Sequence, residues 1–204
     1  MKNIAQARMP QVVSLDKPGV MFFVRHGQCR SNVEWPIPDY DDQLDPLSEL
    51  GRRQAKDCGD LIKTLLPGIR LRIWSSGLLR AIQTAEIIST CTDSILAGRD
   101  DRLNEFSSNA EDHVPFLQRI ADSLADISAN GIGHDERCLI VTHGHVLECL
   151  VCQSLGAPIR VVDKGDHGGQ AGLATHSNAG ISAFYKGELL LWNAQVSAFM
   201  NYRP

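Results

Sequence analysis

Val20-Met-Phe-Phe-Val24 runs straight into Arg25-His26-Gly27-Gln28, and this passage decides how the rest of the chain is read. Five consecutive apolar residues fit a strand buried on both faces, as in a parallel sheet covered by helices. The abrupt change to Arg-His-Gly places cation, imidazole and glycine at the strand's carboxyl end. In open α/β sheets ligands bind outside that end. Two further short runs repeat the pattern. Leu71-Arg-Ile-Trp74 leads into Ser75-Ser76-Gly77-Leu-Leu-Arg80, and Cys138-Leu-Ile-Val-Thr142 leads into His143-Gly144-His145.

Between these runs lie helical periods. Ser48 is a fitting N-cap for a helix with Leu50, Leu61, Ile62 and Leu65 on one side, stopped by Pro67-Gly68. Ser75-Ser76 is read as the cap of a second helix carrying Leu78, Ala81, Ile82, Ala85 and Ile88. A short strand is expected at Ser94 to Ala97, a third helix at Val114 to Ala129, and a fourth at Val146 to Leu155. Residues 163 to 180 read as a long loop. Ala179 to Tyr185 and Glu188 to Trp192 read as a hairpin around Lys186-Gly187. The expected fold is α/β, a three-layer sandwich with a mainly parallel central sheet flanked by helices.

At 204 residues the chain suits one domain, taken as 20-204, preceded by a polar, proline-containing arm at 1-19. The apolar share of 43% can build a core without disulfide or metal staples. A formal charge of −4 lacks the basic footprint of a nucleic-acid binder, so no nucleic-acid partner is expected. No run approaches membrane-spanning length, and the first twenty residues lack the apolar core of a secretory signal. With six scattered cysteines read as free thiols, the expected setting is the cytoplasm.

Converging strand ends would bring together Arg25, Arg80, His26 and His143, a set suited to phosphate because guanidinium forks match its oxygens. Arginine clamps but cannot give up its proton, whereas a neutral imidazole can attack phosphorus. Neighbouring arginines disfavour imidazolium and favour that neutral form. A leaving alkoxide also needs a proton. Glu105 is the best-placed donor, with Asp101 and Glu111 as substitutes. Cys29 reads either as a packed thiol or, with arginines flanking it, as one acidified and oxidisable, whereas Cys149 and Cys152 read as buried structural thiols. His145 reads as a helix-start residue, and His113, His134, His167 and His176 as loop or helix-edge residues.

The blocks Phe23 to Asn32, Pro46 to Ala55, Ser75 to Ala85, Leu103-Asn104-Glu105 and Val141 to Gly144, in this order, resemble the histidine phosphatase superfamily with its phosphoglycerate-mutase-like fold. The resemblance covers nearly the whole chain from residue 20 onward. It implies that His26 is the phosphorylated nucleophile and that Arg25, Arg80 and His143 bind the phosphoryl group. Asn32 and Gly144 would line phosphate or substrate, and Glu105 would serve as general acid and base. It implies no cofactor and no metal. The chain departs from the family after Glu105, where Phe106-Ser-Ser-Asn109 stands in place of a glycine and an aromatic-acidic pair.

The segment between Glu105 and His143 is short and mostly one helix, too small to seal out water as the long insertion of phosphoglycerate-type mutases does. A phosphomonoester hydrolase is therefore expected. A phosphomutase or a non-catalytic phospholigand-binding protein are the alternatives. The partner is a small phosphorylated molecule, and acids on the expected rim (Asp39, Asp41, Asp42, Asp45, Glu111, Asp112, Asp163, Asp166) favour substrates with few extra negative charges. Asn178 is expected to line the pocket, and the terminal hairpin offers an edge for a homodimer.

Overall fold

The computed structural model describes residues 14–34, 36–107, 112–129, 133, 136–157 and 176–195. Six strands form one sheet in the order β3-β2-β4-β1-β5-β6. They are β1 (Val20–Arg25), β2 (Arg70–Ser75), β3 (Ile95–Arg99), β4 (Glu136–Thr142), β5 (Ile181–Tyr185) and β6 (Glu188–Ala194). β1, β2, β3 and β4 run parallel, while β5 and β6 add an antiparallel edge beside β1. The expected α/β sandwich is present.

Alternation along the buried strands assigns the two faces. Val20, Phe22 and Val24 of β1, Leu71 and Ile73 of β2, and Leu139 and Val141 of β4 pack beneath α1 (Glu49–Leu65) and α2 (Leu79–Thr92). The intervening Phe23, Cys138 and Ile140 face α3 (His113–Ala129) and α4 (Gly144–Leu155), which contribute Ile127, Leu147 and Val151. Each face removes large aliphatic and aromatic side chains from water, and this drives the three layers together. Both faces being covered explains why β1 and β4 are apolar without alternation in sequence.

The caps are mixed. Ser48 caps α1 as expected, its Oγ accepting from the Gly51 N–H at 3.0 Å. The cap of α2 is Leu78 rather than Ser75 or Ser76, and it makes no side-chain cap bond. The reason is that Ser76 Oγ, though it accepts from Leu78 N at 3.3 Å, is aimed at His143. α4 begins at Gly144, two residues ahead of the expected start, so His145 lies in its first turn.

Of the expected arm, residues 1–13 lie outside the described residues. Leu15 packs against the core beneath α1 and α2, and Lys17 sits over the Tyr185 ring at 4.4 Å. Most of the expected 163–180 loop, with Asp163, Asp166 and His167, also lies outside them, as do Glu111 and His134. No described helix is long and apolar enough to cross a membrane.

Candidate functional site

Register brings the three strand ends level. Arg25 pairs with Thr142, and Ser75 with Val141, so His26, Ser76 and His143 leave the sheet at one edge. Backbone bonds extend the ladder past the strands, His26 N–H to Thr142 O at 3.0 Å and Ser76 N–H to Val141 O at 3.0 Å.

The His26 ring is buried, and its Nδ1 lies 2.8 Å from the Gly27 carbonyl. A carbonyl can only accept, so Nδ1 carries the proton and Nε2 keeps the lone pair. Burial, then the charges of Arg80 and Arg25, hold its pKa well below the ordinary imidazole value. His143, with its ring centroid 5.1 Å away, is depressed for the same leading reasons. Its Nε2 lies 2.7 Å from Ser76 Oγ, and its Nδ1 is buried with no hydrogen-bond partner.

The two guanidinium groups are held differently. Arg25 Nη1 donates to the His176 carbonyl at 2.6 Å, and its head lies over Gly144. Burial lowers its pKa, and the nearby Glu105 carboxylate pulls the other way. Arg80 Nη1 meets Asp42 twice, at Oδ1 (2.9 Å) and at the backbone carbonyl (3.0 Å). Burial works against its charge, but Asp42 raises the net pKa.

The Arg25-His26-Gly27 turn is fixed from three sides. Gly27 N–H donates to Thr84 Oγ1 of α2 at 3.0 Å. Ala179 N–H donates to Arg25 O at 2.9 Å, and Asn178 Nδ2 to His26 O at 3.1 Å. On the third side Gly27 abuts Gly51 at the start of α1, where a Cβ on Gly27 would fall 2.4 Å from Gly51 O. Glycine is required there by this contact.

Glu105 follows a 3-10 turn, Asp101–Leu103. Its Oε1 accepts from Phe106 N–H at 3.0 Å and its Oε2 from His145 N–H at 3.3 Å. Arg119 of α3, which the sequence reading passed over, grips the same segment through the carbonyls of Arg102, Asn104 and Glu105. Asp101 is exposed at the start of the turn, beside Gly77. Asn32 is exposed, and its Oδ1 accepts from Cys29 N–H and Asn178 Nδ2, both at 3.1 Å.

One expectation is corrected here. Cys29 is fully buried, and desolvation pushes its thiol up to about 11, because exclusion of water outweighs the nearby arginine charge. His176 lies in a loop, as expected. It is buried, its Nε2 2.9 Å from Ser182 Oγ and its carbonyl on Arg25. His113, at the start of α3, instead meets His145 (Nε2 to Nε2, 3.0 Å), and His145 Nδ1 lies 3.3 Å from Glu148. All six cysteines are free. Among the described residues no group of three or more His, Cys, Asp or Glu side chains is arranged to hold a metal ion.

Residues 21–110 and 107–177 match the histidine phosphatase superfamily (branch 1). The chain belongs to this family. Among its relatives, a Klebsiella pneumoniae protein named as a probable phosphoglycerate mutase, GpmB, is 30% identical over 169 residues, 68% of this chain and 75% of that protein. The fructose-2,6-bisphosphatase of Saccharomyces cerevisiae is 27% identical over 164 residues, 70% of this chain but only 35% of its own length. This chain thus spans about a third of the yeast relative. Many solved structures share the fold, among them two phosphatases. A mycobacterial glucosyl-3-phosphoglycerate phosphatase complexed with VO3 superposes with a TM-score of 0.63 at 23% identity, covering 86% of this chain and 99% of that one. The alpha-ribazole phosphatase of Shigella flexneri gives 0.61 at 20%, covering 86% and 96%.

Proposed function

We propose that the protein is a metal-independent phosphomonoester hydrolase working through a phosphohistidine on His26. The observation that carries this reading is the 2.8 Å contact between His26 Nδ1 and the Gly27 carbonyl. With Nδ1–H committed to the Gly27 carbonyl and two guanidinium groups disfavouring a second proton, Nε2 is a neutral nucleophile in a cationic, water-poor pocket.

In the first half-reaction Nε2 attacks phosphorus, the bond from phosphorus to the ester oxygen breaks, and Glu105 gives its proton to the departing alkoxide. Arg25 and Arg80 hold the equatorial oxygens, where charge accumulates in the transition state. His143 has its Nε2 on Ser76, and if the serine hydroxyl donates there, the imidazole proton resides on the unpartnered Nδ1, a donor for a phosphoryl oxygen. In the second half-reaction the Glu105 carboxylate takes a proton from water as the water oxygen attacks phosphorus. The N–P bond breaks, and neutral His26 and inorganic phosphate are restored. Asn32, Asn178 and Gly144 border the seat. Of the proteins compared above, the two phosphatases support hydrolysis, and the relative named as a phosphoglycerate mutase keeps phosphoryl return to substrate as the second reading.

The test is hydrolysis of an aryl phosphate in chelator by the wild type and by His26→Ala, with a search for a phosphoryl adduct. Turnover lost with His26, and a base-stable, acid-labile adduct on the wild type, are expected. Turnover that persists in His26→Ala would overturn the assignment. Activity that depends on a bisphosphorylated primer, with negligible hydrolysis, would replace hydrolase by mutase.

A further inference from the structure

We propose that Asp42 is a specificity-determining residue: its carboxylate, seated on Arg80 at the edge of the phosphoryl site, discriminates against phosphomonoesters that carry a second anionic group beside the phosphate. The proposal rests on the hydrolase reading above and names the substrate class that the site admits, monoesters with a neutral or cationic leaving group.

Asp42 is not a drifting surface acid. Arg80 is almost buried, at 5% side-chain exposure, and both Asp42 contacts fall on its Nη1. Tyr40 Oη donates to Asp42 Oδ1 at 2.8 Å and also reaches Asp45 Oδ2 at 3.2 Å. Asp45 is itself buried and accepts from Ser31 Oγ at 2.6 Å and from Arg30 N–H at 3.2 Å. Asp42 opens the 3-10 turn Asp42–Leu44, whose cap Asp41 accepts from Gln43 N–H at 2.9 Å. Its backbone carbonyl and its carboxylate are thus both anchored, while the side chain remains 49% exposed toward solvent.

An arginine offers five N–H donors. With Nη1 committed to Asp42, a phosphoryl group would take others of the same guanidinium, and two anions would then share one cation. The shared cation tolerates the dianionic phosphoryl group because Arg25 and the imidazoles also face it. A further carboxylate or phosphate on the leaving group finds Asp42 already in place and half-exposed. Near a protein surface, like charges roughly 10 to 12 Å apart repel by a margin that costs about tenfold in binding. A hydroxyl or ammonium group in the same position would instead be an acceptable donor to Asp42.

The matched probes are glycerol 3-phosphate and 3-phosphoglycerate, which differ in a terminal hydroxymethyl against a carboxylate. Their kcat/KM values are compared at low salt for the wild type, Asp42→Asn, Asp42→Ser and the exposed acid variant Asp57→Asn on α1. The expected result is a wild-type preference for glycerol 3-phosphate. That preference should narrow about tenfold in both Asp42 variants through gain on 3-phosphoglycerate, and stay unchanged in Asp57→Asn. A ratio constant within twofold in the Asp42 variants, an equal shift in Asp57→Asn, or a wild-type preference for 3-phosphoglycerate would overturn the proposal. Calorimetric binding of both probes gives the same ratio without chemistry. Absent turnover would therefore count against the hydrolase reading, while the binding ratio judges Asp42 separately.

Discussion

The carboxyl ends of β1 and β4 bring two buried imidazoles together, ring centroids 5.1 Å apart, yet the two rings are wired in opposite senses. His26 is tied at Nδ1 to a carbonyl, which can only accept, and this leaves Nε2 unprotonated. His143 is tied at Nε2 to a hydroxyl, which can donate or accept, and its Nδ1 has no partner. Burial and charge environment are nearly the same for both. One neighbouring atom, rather than residue type or pKa, thus sets the two rings apart.

The sharpest break between the two is chemical. His26→Ala is expected to remove turnover by at least about 10⁴-fold and to abolish the phosphoryl adduct. His143→Ala is expected to lose about 10² to 10³-fold in kcat, as for loss of one donor to transition-state charge, while still forming the adduct. Rapid-quench labelling with a radiolabelled aryl phosphate distinguishes them. An adduct on His26→Ala, or none on His143→Ala, would reverse the roles.

Next in size is the proton donor. Arg119→Ala frees the 102–105 backbone that it grips and should lower kcat about 10 to 100-fold for alkyl phosphates, whose leaving groups need the proton. Aryl phosphates with acidic leaving groups should lose less. A uniform loss across leaving groups would show that Arg119 acts on the fold alone.

Stability against pH should treat the two imidazoles alike. His26, His143 and His176 have folded-state pKa values below the ordinary 6.5, with His176 at about 4. The unfolded chain therefore takes up protons below pH 6.5 that the native state refuses. Stability should fall as pH drops from about 6.5, by roughly 1.4 kcal/mol per pH unit for each group, with the slope from His176 ending near pH 4. Denaturant titrations between pH 7 and 4.5 should show this slope, and His26→Ala and His143→Ala should each reduce it to a similar extent. A steeper loss of slope in one variant would mean that the two rings are not equally desolvated. The smallest effect is expected of Ser76→Ala, a few-fold in kcat from loss of the His143 anchor, with adduct formation intact.

Much of this was readable from residues alone. Strands β1 and β4 announced themselves because double-sided burial demands unbroken apolar runs, β2 through the short Leu71-Arg-Ile-Trp74 segment between two helical periods, and Ser48 because an N-cap is a local device. What escaped was decided by tertiary contact. Ser76 looks like a cap, but its hydroxyl serves a histidine 67 positions away. Cys29 looks activated from its arginine neighbours, but burial governs a thiol more strongly than charges along the chain. Arg119 and Asp42 act on backbone carbonyls and on one distant guanidinium, and neither contact leaves a periodicity or a spacing.

The contact between Gly27 and Gly51 leaves no room for a methyl group on either side. A Cβ on Gly51 would fall 2.0 Å from the Gln28 carbonyl oxygen, and one on Gly27 2.4 Å from that of Gly51. For a lineage exploring new substrates, single mutational steps at either position are closed, since each collides with backbone rather than with a side chain that could swing away. Inheritance of the nucleophile's turn is therefore inheritance of the first turn of α1. Variation is left to the loops around the rim, where Asp42 stands half-exposed against Arg80.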